Sequence, residues 1–356
     1  MQHFIYGYDE KNPVACARDL KKRGITAVVD GSFSPEAVQA FQAEGIELYL
    51  CYVAHSLGEK KADTARYAKN TAGEGKIWFS SSCPLDAEIA GAHLEKILSA
   101  ARSIPGLKGI FVDGARFASF ASPEGFDSFF TCFCPRCMAA MEEMGLDAQA
   151  IREAVSRLAE KGAWQEKDLP LLKDWLLYRE KTVQKYMDAF ARKVHAENPR
   201  WKAGAFIFAP SLSPFVGQTF FACRSLDILS PMLYRAYPHK EGPACLNHEW
   251  AAFYKLLSEK AAPFRKAFSA LDLPGESPEE LLEKGFSPLF VGEETAYARK
   301  HAEKAQWISP IIQSEDPMQQ ETARCVISAG ADGVGYFVYG MGDLPPYRKA
   351  GEGEQH

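Results

Sequence analysis

Short apolar runs alternate with amphipathic segments along the whole chain. Phe4-Ile5-Tyr6-Gly7-Tyr8-Asp9 reads as a first strand, and the spacing over 13–23 predicts a helix with Pro13 near its start. Ile25–Asp30 and Ile46–Val53 predict the second and third strands, with a helix over Ser34–Glu44 between them. Asp86–Ser103 is a long amphipathic helix, followed by a fourth strand over Leu107–Asp113. Helices resume near Ala139 and Asp147, and a strong one runs over Leu171–His195. Lys202–Ala209, Leu226–Tyr234, Trp307–Gln313 and Gly333–Tyr339 complete the set of strands. Several are nearly continuous apolar runs, as expected for strands of a parallel sheet covered on both faces.

Eight strands with helices between them fit an α/β fold of the (β/α)8 TIM-barrel type, here a single domain over 1–356. An open doubly wound sheet is the alternative. No G-x-G-x-x-G follows the first strand and no Walker A motif is present, which weakens the nucleotide-binding versions of that sheet. The length beyond a minimal barrel falls in two insertions, about 118–170 after strand four and about 236–305 after strand six. Residues 351–356 read as a frayed tail.

The 356 residues carry a formal net charge of −5, which gives no footprint of a nucleic-acid or anionic-membrane partner. No apolar run approaches the roughly 20 residues that cross a bilayer. Met1-Gln2-His3-Phe4 has no basic segment leading into a long apolar one, so a cytoplasmic location is expected. Oligomeric state is left open, homo-oligomers included.

Nine cysteines are an odd number, and a reducing compartment disfavours a disulfide framework. Cys132-Phe133-Cys134-Pro135-Arg136-Cys137 is a C-x-C-x-x-C cluster. Thiolates packed this closely repel one another, and a soft divalent cation, usually tetrahedral zinc, relieves the repulsion. A set of buried free thiols is the alternative. If the metal has four thiolate ligands its coordination is closed, and its role is structural.

A barrel gathers its chemistry where the strands end. The polar residues there are Tyr8 and Asp9, Asp30, His55, Asp113 and Arg116, Ser211, Tyr234 and Arg235, Gln313 and Glu315, and Tyr339. Carboxylates and amides suit sugar hydroxyls, and rings suit the apolar faces of pyranoses. Glycoside cleavage needs two carboxyl groups across the scissile bond. Asp113 and Glu315 are the expected catalytic pair, with Asp9 and Asp30 as rival partners for Asp113. Substrate-binding roles are expected for Asp9, Asp30, His55, Arg116, Tyr234, Gln313 and Tyr339. Asp316, ahead of Pro317, reads as a helix cap.

Cys83-Pro84, a helix, Gly109–Asp113 and then the C-x-C-x-x-C occur in an order that resembles the zinc-containing β-galactosidases of glycoside hydrolase family 42. It is also similar to a wider group of barrel glycosidase-like proteins. Asp113-Gly114-Ala115-Arg116-Phe117, Leu226–Tyr234 and Ala331–Phe337 resemble strand regions of that group. The resemblance implies a structural zinc bound by Cys83, Cys132, Cys134 and Cys137, and a carbohydrate substrate. The β-galactosidase family ends strand four in Asn-Glu, with Glu as general acid/base. Asp113-Gly114-Ala115 stands in that place here. The readings that follow are a glycoside hydrolase and, second, a carbohydrate-binding barrel without catalysis. A metal-dependent amidohydrolase has little support, because His3-Phe4-Ile5 offers no H-x-H.

Overall fold

The computed structural model describes residues 2–58, 63–121, 126–160, 165–237, 244–260 and 277–340. The tail over 351–356 and parts of both long insertions lie outside these residues.

The barrel strands are β1 (Gln2–Tyr6), β2 (Ala27–Asp30), β3 (Glu47–Val53), β4 (Gly109–Asp113), β5 (Lys202–Ile207), β6 (Ile228–Pro231), β7 in two pieces (Trp307–Ile308 and Ile311–Gln313) and β8 (Gly333–Phe337). All pair in parallel, each with its neighbours in chain order, and β8 returns to β1. Closure occurs at β7. Its first piece pairs with β6 and its second with β8, with Ser309-Pro310 between them. Pro310 has no N–H to give, and its carbonyl accepts from Gly335 at 2.8 Å. A bridge between Met232 and Ile311 carries the β6 side past the break. The result is a closed eight-stranded barrel.

The helices begin where local chemistry satisfies their first N–H groups. Ser34 accepts from Ala37 at 3.1 Å ahead of α2 (Pro35–Ala43), and Asp86 accepts from Ile89 at 3.3 Å ahead of α3 (Ala87–Arg102). Pro13 opens α1 (Pro13–Lys22). Between β4 and β5 lie α4 (Pro135–Glu143), α5 (Ala148–Ala159) and the 29-residue α6 (Leu169–Glu197). Between β6 and β7 lie α7 (Leu246–Lys260), α8 (Pro278–Lys284) and α9 (Pro288–His301), and α10 (Gln319–Ser328) links β7 to β8.

The barrel interior is filled by large residues facing small ones. Phe4, Phe111 and Phe206 meet with ring centroids 5.1–6.3 Å apart, and Tyr49 packs edge-on against Phe111 at 5.7 Å. Gly335 and Gly204 make the room. A β-carbon on Gly335 would lie 2.1 Å from the Phe4 ring, and one on Gly204 would lie 2.8 Å from Phe111. Gly335→Ala is therefore expected to destabilise the fold by about 1–3 kcal/mol through overpacking, read as a lower denaturant midpoint. Trimming the opposing ring with Phe4→Leu should recover much of that loss. An unchanged midpoint in Gly335→Ala would contradict this packing.

Candidate active site

Strand ends place the polar groups. At the end of β4, Asp113 turns into the mouth of the barrel, and its Oδ1 accepts from the Gly114 N–H at 2.7 Å. Burial raises its pKa, opposed by that N–H and by the Arg116 cation. Tyr6, from β1, is pushed upward first by the Cys51 thiol, then by burial, Asp113 and Asp30. Cys51, from β3, is raised by burial and by the same two carboxylates. Asp113 and Asp30 therefore act on one shared group of side chains. Asp30 is itself raised by burial, opposed by the N–H groups of Ser32 and Gly31.

Aromatic rings wall the mouth. Tyr6 lies 5.8 Å from Phe206 and 5.5 Å from Phe337, and Tyr234 lies 5.3 Å from Phe337. Tyr234 is buried, and its pKa is raised by burial, then by Asp113, Tyr6 and Tyr237. Tyr237 in turn is raised by burial and then by Glu315. Asp113 thus acts on Tyr234, and Glu315 on Tyr237. Burial raises the Glu315 carboxyl. Gln313 is buried at the end of β7, where its Oε1 accepts from Ala236 at 3.2 Å.

Other expected residues have partners of their own. The chain leaves β1 at Gly7 (φ +83°), so Tyr8 and Asp9 fall beyond the strand. Asp9 accepts from the N–H groups of Lys11 and Asn12 and from the Asn12 side chain, which hold its pKa down. Tyr339 is raised by burial, with Cys16 beside it. The His55 ring is buried 5.2 Å from Tyr186, and burial lowers its pKa to about 4. Arg235 is tied to Asp316 by two bonds of 2.6 Å. Asp316 also accepts from the Met318 N–H, while the residue at the cap of α10 is Met318 itself.

Arg116 is buried with its guanidinium 4.2 Å from the Trp78 ring and 4.5 Å from the Phe208 ring. Burial lowers its pKa to about 10, opposed by Glu249 and Asp113, so it stays a cation at neutral pH. Glu249, on α7, accepts from Ser119 at 2.6 Å and from the Ala121 N–H at 2.9 Å. A second buried acid, Glu294 on α9, accepts both the N–H and the hydroxyl of Ser211. Neither acid stands at a strand end, so the strand-end rule passes over them.

Beside the mouth the four cysteines converge. Cys83 comes from the segment after β3, and Cys132, Cys134 and Cys137 come from the segment after β4. Cys83 Sγ lies 3.6 Å from Cys134, 3.4 Å from Cys137 and 3.6 Å from Cys132. All four are buried, and their sulfurs lie within 4.8 Å of one another. A tetrahedron with metal–sulfur bonds of about 2.3 Å has edges of about 3.8 Å, so the arrangement fits a four-coordinate metal. The N–H groups of Lys69 and Leu85 point at Cys132 and Cys83, at 3.3 and 3.4 Å. Such contacts suit sulfur carrying negative charge. Arg66 grips Asp86 with bonds of 3.0 and 2.9 Å, and Arg136 approaches the same carboxylate at 3.6 Å. The segment after β3 and the insertion after β4 are thereby tied to the start of α3.

Fold and site together define a closed (β/α)8 barrel with an acidic, aromatic-walled mouth and a four-sulfur cluster at its side. Among solved structures, the chain is similar to the β-galactosidase of the Antarctic haloarchaeon Halorubrum lacusprofundi, with 14% identity and a TM-score of 0.61 over 95% of this chain and 52% of that one. It is similar to a β-galactosidase from the psychrophilic Marinomonas ef1, with 13% identity and a TM-score of 0.62 over 95% and 54%. It is also similar to Gan42B, a GH42 β-galactosidase from G. stearothermophilus, with 12% identity and a TM-score of 0.59 over 94% and 50%. The barrel is therefore of the kind found in these glycosidases, and the chain spans about half their length. No family model and no curated protein sequence matches the chain. No helix among the described residues is long and apolar enough to cross a membrane.

Burial raises Glu294 to about pH 7, so its proton should leave a signature in stability. Below about pH 4.5 the carboxyl is protonated both folded and unfolded. As pH rises from there through 7, only the unfolded chain ionises freely, and stability is lost. Glu294→Gln copies the protonated form. Relative to wild type, its thermal midpoint should be similar at pH 4.5 and higher by a few degrees at pH 8, for a difference of up to about 3 kcal/mol. A gap that does not change with pH would contradict a buried, protonated Glu294.

Proposed function

We propose that the chain is a glycoside hydrolase whose chemistry is carried by Asp113 and Glu315. The observation behind this reading is the Asp113 carboxylate at the end of β4, buried among Tyr6, Cys51 and Tyr234 in a glycosidase-type barrel. Asp113 has an N–H and a cation opposing its burial, which suits the carboxylate that works ionised. Glu315 is raised by burial alone, which suits the group that keeps a proton. In the reaction the glycosidic C–O bond breaks and the leaving oxygen takes the Glu315 proton. Water supplies the oxygen that bonds to the anomeric carbon, and a proton from water restores the acid. Asp30, at the end of β2, serves as a sugar ligand. Arg116 acts through Asp113, keeping it charged from behind.

Zinc is assigned to Cys83, Cys132, Cys134 and Cys137. Four thiolates close its coordination, so it supplies no reactive water and braces the loops around the mouth.

Hydrolysis is tested on a panel of 4-nitrophenyl glycosides. The wild type is expected to turn over at least one of them, and Asp113→Asn to lower kcat about 10³-fold while an iminosugar still binds. Equal turnover by wild type and Asp113→Asn would remove Asp113 from the reaction. A second reading, a sugar-binding barrel without turnover, is favoured by one feature: Gly114-Ala115 stands where the β-galactosidase family carries its acid/base Glu. It predicts saturable glycan binding with no release of nitrophenol on any member of the panel.

A further inference from the structure

The segment after β3 makes a tight turn at Trp78-Phe79-Ser80-Ser81, closed by the Ser81 N–H donating to the Trp78 carbonyl at 2.8 Å. Its two central residues have φ of +52° (Phe79) and +51° (Ser80). That geometry normally selects Asn-Gly, because a β-carbon crowds the backbone there. Among the described residues, these two are the only non-glycine positions with positive φ. The turn is held from both sides. The Leu57 N–H donates to the Ser80 carbonyl at 2.8 Å, and Ser56 bridges to Ser81.

The strain presents an aromatic ring to solvent. Phe79 is 46% exposed although it is large and apolar. One edge of it rests on Gly114, the residue after Asp113; a β-carbon on Gly114 would lie 3.4 Å from the Phe79 ring. Trp78, 5.6 Å away, is already engaged with the Arg116 guanidinium. Strained backbone persists where surrounding contacts impose it, and such positions gather at binding sites. A packing role does not account for a half-exposed ring.

We propose that Phe79 is the stacking platform that receives the apolar C–H face of a pyranose ring bound with its anomeric end toward Asp113. The assignment rests on the glycoside reading above and adds a specificity-determining residue to it. A ring laid on Phe79 has its hydroxyl edges free for the polar groups of the mouth. Its position beside Gly114 places it one residue from the Asp113 carboxylate. The platform discriminates by face: sugars with an unbroken C–H face stack, and those with an axial hydroxyl on that face do not.

The test uses the 4-nitrophenyl glycoside that the full-length wild type turns over best or, where turnover is absent, binds best. Phe79→Ala should weaken its binding or raise its KM about tenfold with kcat changed less than about threefold, and Phe79→Trp should restore binding. Phe79→Gly relieves the turn, so its thermal midpoint should equal or exceed that of wild type while binding stays weak. Unchanged binding in Phe79→Ala overturns the platform alone. A midpoint several degrees lower in both Phe79→Ala and Phe79→Gly makes Phe79 a packing residue and also overturns the platform. A wild type that neither binds nor turns over any glycoside overturns the glycoside reading itself, and the platform with it.

Discussion

Four buried sulfur atoms, three of them 3.4–3.6 Å from that of Cys83, make a demand that apolar packing cannot meet. Left neutral, they forgo the N–H groups aimed at them; left ionised, they repel across a low dielectric. A cation at their centre answers both. The free energy of binding a structural zinc is on the order of 10–16 kcal/mol in small domains, comparable to the whole stability of a typical fold. The cluster joins the segment after β3, which carries the Trp78–Phe79 turn, to the segment after β4, which begins at Gly114. Arg179, fully buried, donates to the carbonyls of Phe129, Thr131 and Phe215 and lies 3.8 Å from the Trp175 ring. Burial pushes the Arg179 pKa well below the usual guanidinium value, opposed by Tyr178 and by the sulfurs of Cys132 and Cys137.

The barrel supplies a second constraint. Its interior is filled by Phe4, Phe111 and Phe206, so nothing threads through it, and chemistry is confined to the open end. Burial at that end raises every acid that turns inward. The contrasts between them come from what opposes burial: an N–H and a guanidinium at Asp113, two N–H groups at Asp30, and no such group at Glu315. Arg116 retains its proton because Glu249 and Asp113 offset its burial between two rings. Protonation at the mouth is thus governed by residues from β4, the β3 segment and α7 together.

Much of the barrel was legible in the sequence. Apolar runs flanked by Gly, Pro and Asp located all eight strands, and Ser34 and Asp86 marked helix starts because their side chains cap the first turn. The cysteine spacing pointed to a cluster able to hold a metal, because three thiols in six positions converge on one place. Strand boundaries were less legible. β1 ends at Tyr6, three residues before Asp9, and Pro310 splits β7, so a strand's last residue cannot be counted from its polar positions alone. The ring of His55 went under a loop against Tyr186, since an imidazole gives no local sign of which way it will pack. Glu249 and Glu294 were missed for another reason. They lie on helices, and their burial depends on Ser119 and Ser211, partners more than 80 residues away. Phe79 carries no turn signature, because the turn it occupies contradicts its own propensity.

The claim on which the arrangement depends is that one metal ion, held by four cysteines, fixes the loops around Asp113. Metal analysis of the purified full-length protein, followed by thermal unfolding before and after chelation, addresses it directly. The account predicts about one zinc per chain, lost together with a large fall in the unfolding midpoint, and the same loss in Cys137→Ser. A protein that carries no metal, or that keeps its midpoint once the metal is stripped, would contradict it.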